Sequence, residues 1–554
     1  MIHKTEQSKG RPFTEDEPGK VPGSEHPGDV FAASEDGKRS SNLLTDEVTP
    51  SSPWPTLGRL ERWVVLLTGL IVLGIGVRHL PHGIYFCDQG DLQIACATLG
   101  IAHSPGYVGY AAVGWVLTKV FFFVEPAYLI SLACLGCVVV SLMLSTMILI
   151  RVGVPAVLCG AISLLLVNHK SVWYNMNVPE VYAPSLVLLV GITYLLCKYG
   201  RLYRRRDLLL AGALYGFLVI NRPPALFLVP GLLLGLGAIE RRRGLGWSAG
   251  ARRALGTICT GAVTSLAVLV LIWMRDSPGN PYNHVQAYAE VYGKIPVDNS
   301  TLPARWERFK WLVTGQEFSH YMGSDLGQSR SKFRWVRRQL FVYDRLPFYV
   351  MLGLMGLGGY VLLCRQPEAA WVAAFAIAGQ TGYLVQYRVH DQAADLLPII
   401  FGGSLLLGAC VPRLLPTFFG PGRRILPIAA YMAIGGWTAI HAEIRYNWSQ
   451  LRYAVPYLEE FDFESLPENS VIISGWSPAR PLWYKRVVEG VRQDIQIISA
   501  NYIEEWPGIA RQHPAKPVFY TSEAPTPEGY TLKPWRNVWR LEPLTQGKTA
   551  NVGS

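Results

Sequence analysis

Two stretches of this chain, 127–150 and 254–274, run for more than twenty residues without a charged side chain. About 18 apolar residues mark a helix able to cross the hydrocarbon of a bilayer. A helix in a soluble core rarely stays apolar on every face for that long. Only 16% of the 554 residues are charged and 50% are hydrophobic, against about 25% charged in an ordinary soluble domain. The chain is therefore expected to be an all-α polytopic membrane protein, with the lipid bilayer as its first partner. Eleven spans are predicted, near 63–80, 127–150, 152–168, 181–197, 207–221, 223–239, 254–274, 346–364, 369–387, 395–411 and 425–442.

The formal charge of +11 does not point to nucleic acid, because Lys and Arg gather in short loops between apolar blocks. That bias orients membrane helices. Loops 198–206, 240–253 and 412–424 are the most basic, and Arg59 and Arg62 precede the first span. These four segments share one side only if the Gly-containing stretch 106–124 does not cross. It is expected to be a juxtamembrane or re-entrant helix packed against protein. Loops 81–126, 169–180 and 275–345, the turn at Arg222, segment 388–395 and region 443–554 then share the opposite, extracytoplasmic face. Residues 1–60 are polar and rich in Ser, Pro and Gly, and read as a disordered tail. The apolar block after them is expected to be an uncleaved signal anchor.

The densest polar feature beside a span is Cys87-Asp88-Gln89-Gly90-Asp91-Leu92, followed by His103-Ser104-Pro105-Gly106-Tyr107. Asp91 suits the N-cap of a helix expected over 92–102, with Gly90 in the turn before it. Asp88 is not needed as a cap and is the better candidate for a general base. Glu180 starts a span on the same face, where it either complements the helix dipole or serves a site. Arg222 is either a snorkelling anchor or a holder of an anionic ligand. Arg388, His390, Asp391 and Asp395 cluster between two spans, with Asp395 either a cap or a site residue. Segment 331–343 places Phe333, Val336, Leu340 and Phe341 near one helical face with Lys332, Arg334, Arg337 and Arg338 around them. This is the pattern of an interfacial helix, meeting lipid head groups or a lipid-linked phosphate.

Beyond residue 443 the chain looks soluble. Ser470–Ser474 and Asp494–Ser499 read as strands with a helix over Pro478–Gly490 between them, and Val518–Tyr520 as a further strand. No P-loop, GxGxxG, HExxH or serine nucleophile elbow is present, which removes support for nucleotide chemistry. The nine cysteines lie mostly in apolar blocks, where they behave as small hydrophobes. Cys134 and Cys137 form a CxxC inside an uncharged span, and Cys87 and Cys96 flank the acidic motif at a spacing that leaves a disulfide open.

The run Asp88-Gln-Gly-Asp-Leu, then Leu99-Gly-Ile-Ala-His-Ser-Pro-Gly-Tyr107, resembles the signature of the domain of unknown function 2723 family. That family is classed as glycosyltransferase family 117 and includes the protein O-mannosyltransferase known as transmembrane protein 260. Its pattern runs Gly-Asp-Ser-Gly-Glu-Leu, then Leu-Gly-Ile-Ala-His-Pro-Pro-Gly-Tyr. Trp173 with Pro179-Glu180-Val181-Tyr182, the segment from Asp391 to Pro398, and Leu466-Pro467 through Asp494 resemble later family segments in the same order. Cys87, Gln89, Asp91 and Ser104 depart from the pattern; Asp91 keeps the charge of the family's Glu on a shorter arm.

The resemblance implies a GT-C architecture: about eleven spanning helices, a juxtamembrane helix and a small extracytoplasmic α/β C-terminal domain. It implies an inverting membrane glycosyltransferase moving a hexose from a polyprenyl-phosphate donor to an acceptor hydroxyl on a protein or glycan. Asp88 and Asp91 are the implied catalytic carboxylates, with Asp88 the base. His103, Tyr107, Glu180, Tyr182, Arg222, Arg388, His390 and Asp391 are the implied substrate-binding residues. No metal-ligand pattern is assigned and no cofactor is certain; a divalent cation stays open. The tail resemblance favours a bacterial inner membrane, with the site facing outward. A transporter would instead show broken helices at the bilayer midplane, and a non-catalytic scaffold would tolerate loss of both Asp88 and Asp91.

Overall fold

The computed structural model describes residues 56–323, 325–340, 348–388, 394–414, 425–445 and 454–544. The predicted tail at 1–60 therefore lies almost wholly outside the described residues, as do His390 and Asp391. Each of the eleven apolar stretches is a helix. From the amino end, α1 (Arg59–His79) leads to a loop carrying α2 (Cys87–Thr98) and α3 (Val108–Val120), and α4 (Pro126–Val152) runs back. Next come α5 (Ala156–Val167), α6 (Lys170–Asn177), α7 (Tyr182–Leu202), α8 (Arg205–Asn221), a tight turn of helix at Pro223–Leu228, α9 (Val229–Arg242) and α10 (Trp247–Arg275). A long connection holds α11 (His284–Tyr292), α12 (Leu302–Val313) and α13 (Leu326–Leu340). The helical part closes with α14 (Phe348–Arg365), α15 (Pro367–Gln386), α16 (Leu397–Leu414) and α17 (Ile425–Arg445).

Among the described residues, six helical stretches are long and apolar enough to cross a bilayer, or seven if α5 and α6 count as one span bent by 76°. The six are α1, α4, α7, Pro223–Arg242, α10 and Ala394–Val411. Helices α8, α14, α15 and α17 fall short of that test in length or apolarity. The predicted span 152–168 stops at Val167, where Asn168 caps the helix and the chain bends into α6.

Helix α3 does not cross. Its start follows His103, whose ring lies 6.0 Å from Trp476. Past its end, Tyr484 OH donates to Glu125 and accepts from Ala127 N at 3.3 Å. Both contacts are to one helix, α19 (Trp476–Val487), so α3 turns back on the side it came from; a short α18 (Val455–Glu460) precedes α19. At 13 residues, α3 is also only about 20 Å long, short of a 30 Å hydrocarbon layer. At the other end of the bundle, Arg242 donates to Leu363 O (2.9 Å) and Cys364 O (2.6 Å), joining the 240–253 loop to the end of α14. Loop 198–206 joins α7 to α8 at that same end.

The C-terminal segment forms a five-stranded sheet with β1 (Val471–Ser474), β2 (Gln496–Ser499), β3 (Val518–Tyr520), β4 (Tyr530–Trp535) and β5 (Val538–Pro543). The order is β2-β1-β3-β5-β4. Strand β1 pairs parallel with β2 and β3, while β5 is antiparallel to both neighbours. Helix α19 supplies the β1–β2 crossover, and α20 (Trp506–Arg511) follows β2. The expected β-α-β unit is present; the β4–β5 hairpin was not anticipated. Helix α19 also packs on α2, which places the sheet over the first loop.

Small residues set one of the close helix crossings, between α8 and α10. A Cβ on Gly216 in α8 would sit 2.0 Å from Gly261 O in α10, and one on Gly212 would sit 2.5 Å from Thr257 O. Close backbone approach of this kind supplies packing that apolar contact alone does not provide in lipid. Gly216→Leu is expected to lower apparent stability by about 1–3 kcal/mol through overpacking. Thermal unfolding in detergent measures it, with Gly256→Ala as control, since a Cβ there meets nothing within 4 Å. Equal melting temperatures for the two variants would contradict the crossing.

Candidate functional site

Helix α2 carries both carboxylates of the acidic motif. It begins at Cys87 with Phe86 as N-cap, so Asp88 lies in its first turn and Asp91 one turn further on. This corrects the expectation of a helix over 92–102 capped by Asp91. Gly90 is likewise inside the helix rather than in a turn before it. A Cβ there would lie 2.2 Å from Tyr85 O and 2.9 Å from the Arg480 Cβ, so glycine is what lets α2 pack against α19.

Three positions separate Asp88 from Asp91, yet their surroundings are opposite. The Asp88 side chain is 49% exposed. Trp476 Nε1 donates to its Oδ1 at 2.8 Å, and His103 Nε2 lies 3.9 Å from its Oδ2. Asp91 is fully buried. Its Oδ2 accepts from the His103 backbone N at 2.9 Å and pairs with His103 Nδ1 at 2.7 Å. Tyr282 OH donates to its Oδ1. Arg480 Nη1 donates to that same Tyr282 hydroxyl at 2.6 Å and stands 3.6 Å from Asp91 Oδ1.

The charges follow from these contacts. Burial opposes a charged Asp91, but Arg480 and then His103 outweigh it and hold the carboxyl well below its ordinary range. Burial likewise opposes a charged His103, but Asp88, the hydrogen bond to Asp91, and Glu317 raise its pKa from 6.5 to about 9. His103 is thus an imidazolium at neutral pH, lying between two carboxylates. Glu317 is drawn down to about 2 against the cost of its burial by His284, whose Nε2 lies 3.1 Å from both carboxylate oxygens. Glu180 behaves oppositely: burial first, then the negative charge of Asp88, raise it to about 8. Gln89 Nε2 donates to Glu180 Oε1 at 2.6 Å, linking it to α2.

Other implied site residues form a second, adjoining cluster. Arg222 donates to Asp395 and lies over the Tyr182 ring with its Cζ 4.6 Å from the centroid. Both partners of that ion pair are buried, so Arg222 is neither a snorkelling anchor nor a free anion holder, and Asp395 is not a simple cap. Tyr107 stands between the clusters: its ring is 5.2 Å from His103, and it feels the charges of Glu180 and Arg222. Arg388 has an exposed side chain and donates to Gly323 O. All nine cysteines are free; Cys87 donates to Ser477 Oγ (3.1 Å), which removes a Cys87–Cys96 disulfide.

Tyr282, His284, Glu317, Trp476 and Arg480 escaped the sequence reading. Tyr282 and His284 lie in the long loop that the charge rule leaves open. No local spacing ties any of them to Asp88. Among the described residues, no group of three or more His, Cys, Asp or Glu side chains is arranged to hold a metal ion.

Breaking a buried ion pair by removing one partner costs about 3–5 kcal/mol. Asp91→Asn is expected to lose that much, because it leaves His103 and Arg480 without their shared anion. Asp88→Asn, on a half-exposed side chain, is expected to stay within about 0.5 kcal/mol of wild type. Because the folded pKa of His103 is raised, its contribution is full below about pH 6.5 and is lost as pH rises through about 9. Apparent melting temperature against pH should therefore fall across that window in wild type, and less steeply in Asp91→Asn, where Asp88 and Glu317 still favour the charged ring. A parallel fall in both variants would remove the Asp91–His103 pair as its source.

No family model matches the chain, and no curated protein does. Among solved structures the chain is similar to the crystal structure of ArnT from Cupriavidus metallidurans bound to undecaprenyl phosphate. The TM-score is 0.51 at 12% identity, over 87% of this chain and 97% of that one. Identity this low speaks for the fold alone, and the fold agrees with the helix order above: this chain is a multi-pass integral membrane protein with a GT-C type architecture.

Proposed function

We propose that this chain transfers a hexose from a polyprenyl-phosphate donor to an acceptor hydroxyl, with Asp88 as general base and with inversion at the anomeric carbon. The observation that carries this reading is the half-exposed carboxylate of Asp88 on a GT-C type fold. It is held by Trp476 and faced by an imidazolium, while its neighbour Asp91 is sealed inside. The motif resemblance to the domain of unknown function 2723 family points the same way, as does the undecaprenyl phosphate bound to the similar ArnT structure.

In the proposed step, Asp88 takes the proton of the acceptor hydroxyl as its oxygen attacks the anomeric carbon. The bond from that carbon to the phosphate oxygen breaks, and polyprenyl phosphate leaves with the electron pair. A phosphate is already a good leaving group, so positioning and charge stabilisation are the main needs. Asp91 does not reach solvent and acts by holding His103 in place. His103 keeps positive charge beside the reacting centre. Arg222 is committed to Asp395, so the departing phosphate is assigned to Arg388 or to an exposed interfacial arginine of α13 such as Arg334. Glu180, carried by Gln89, orients the sugar.

An apolar cavity of about 490 Å³ supports the lipid part of this reading. It runs between α3, α4, α7 and α8 and is lined by residues such as Val113, Leu117, Ala133 and Val187. Its wall residue Tyr110 lies 3.5 Å from Cys134 Sγ, which in turn reaches Glu180 O at 3.6 Å. A prenyl chain in this cavity would end beside Glu180, one residue's reach from α2. In this reading the acceptor is a protein or a glycan, and the enzyme lies in a bacterial inner membrane with its site facing outward.

Asp88→Asn is expected to reduce transfer from a labelled polyprenyl-phosphate hexose by about a hundred- to ten-thousand-fold, the usual range for loss of a general base. Protein yield and melting temperature should stay near wild type. Undiminished turnover in a folded Asp88→Asn preparation would show that another group is the base.

A further inference from the structure

We infer that the turn at Phe121–Phe123 and the outer face of α3 lie sunk in the lipid leaflet on the site's side, where they frame a sideways entry for the donor's prenyl chain. Of the two, only the identity of that chain rests on the transferase reading above. Between Gly106 and Val124 the chain holds one charged side chain, Lys119, and no carboxylate. Val113, Val116 and Val120 of α3 are exposed, and the turn after them presents Phe122 at 81% and Phe123 at 74% exposure. Phe121 N donates to Leu117 O (2.8 Å) and Val124 N to Phe121 O (2.9 Å), so the backbone itself fixes the turn from which these rings project. An apolar patch of this kind is seldom left to water.

Its neighbours set its depth and its occupant. Glu125, directly after the turn, accepts from Tyr484 OH of α19, which puts the turn at the outer end of α4. On another side α3 packs against α10, where a Cβ on Gly109 would lie 3.3 Å from Val268 Cγ1. Helix α10 is long and apolar enough to span, and its Val263, Leu266 and Val270 are exposed. The exposed face of α3 thus continues a surface that already meets hydrocarbon, and lipid chains are its occupant. Lys119 Nζ lies 5.8 Å from the centroid of the Trp115 ring. An indole and a long cation together hold a helix at the head-group boundary.

The apolar cavity of about 490 Å³ opens at this place. Its lining is buried at Tyr110, Ile130 and Cys134 but exposed at Val113, Phe121 and Val140. A cavity with exposed wall residues on both α3 and α4 is a groove open between those helices. No charged side chain lines it. Along α4 the lining runs from Leu129 to Val140, about 16 Å at the helical rise. The groove therefore descends from near the head groups to about the middle of a 30 Å hydrocarbon layer. Phe121 belongs to both turn and groove wall, so the turn is the groove's outer lip. A prenyl chain lying in the leaflet reaches the groove between α3 and α4 without leaving hydrocarbon, which avoids the cost of wetting it.

The test uses the full-length protein in phosphatidylethanolamine–phosphatidylglycerol vesicles that include a phospholipid with a diazirine partway along one acyl chain. After irradiation, mass spectrometry is expected to find label on Phe122 or Phe123 and on Leu266, and none on Tyr502, which is 58% exposed in the C-terminal sheet region. Label on Leu266 with none on 121–123 overturns the insertion. So does a photoreactive benzoylphenylalanine in place of Phe122 that captures protein instead of lipid. Transfer is then measured with undecaprenyl-phosphate hexose in the vesicles and with a water-soluble two-isoprene phosphate hexose. Two Phe rings lose enough burial in Phe122→Ser/Phe123→Ser that KM for the long donor should rise about fivefold or more, while KM for the short donor stays within about twofold. Equal changes for both donors, or none for either, overturn the sideways entry. Label in the turn of a wild-type protein that consumes neither donor keeps the insertion and overturns the transferase reading.

Discussion

One buried carboxylate fixes how the membrane helices and the C-terminal sheet meet. Taking an ionised Asp out of water costs several kcal/mol unless charge and hydrogen bonds replace the solvent. Asp91 is fully buried on α2, and its replacements come from three separate places: His103 from the turn after α2, Tyr282 from the long connection after α10, and Arg480 from α19. None of the three can be withdrawn without leaving charge or dipole unmatched. The sheet therefore sits over the first loop because its helix α19 supplies one of the cations, and Gly90 allows the close packing that brings it there.

The same reasoning extends outward. Tyr282 must be held still if its hydroxyl is to bridge Asp91 and Arg480, and the surrounding loop has its own lock. Arg308, fully buried, makes a two-point contact with Asp276 (2.9 and 2.5 Å) and donates to Pro296 O and Val297 O at 3.0 Å. Such bidentate pairs add geometric specificity to their energy. Ile101 N, donating to Tyr282 O at 2.8 Å, then joins this loop to the strand-like segment just before His103. A long connection with little regular packing thus behaves as a rigid wall of the site. Two carboxylates in one helix consequently have distinct environments: Asp91 is fixed within the wall, and Asp88 faces solvent from it.

The helical part of the fold was legible because its signal is local. An apolar run in lipid can only be a helix, and each of the eleven predicted runs is helical, six of them in stretches long and apolar enough to cross. The stretch 106–124 was resolved by loop charge, and the contacts of Trp476 and Tyr484 at its two ends agree. The β1-α19-β2 unit was readable from its apolar strands, β1 fully buried and β2 buried at Ile497 and Ile498. Strand β4 was not: its residues are half-buried or exposed along the whole length, so it shows no apolar run. The site divides the same way. Asp88 could be singled out from its neighbours alone. The role of Asp91 could not, because Asp-Gln-Gly-Asp offers two helix starts and distant partners chose the earlier one. Arg222 and Asp395 were each noticed, but nothing local pairs residues 173 positions apart.

On the proposed reaction, the position of Asp88 at the seam between helices and sheet has a physical reason. Its two substrates would differ in solubility, a prenyl chain needing hydrocarbon and a polar acceptor needing water. A base sunk in the bundle would meet only the first, and one on the sheet only the second. Helix α2 lies at the boundary, with Gln89 directed to Glu180 at the start of α7 and Asp88 directed to Trp476 at the start of α19. Adjacent positions on a helix point about 100° apart. Consecutive residues of one short motif can therefore address both phases, provided the helix cannot rotate. Rotation would drag Asp91 out of its buried pair, so the carboxylate that never meets solvent is the one that keeps its neighbour aimed.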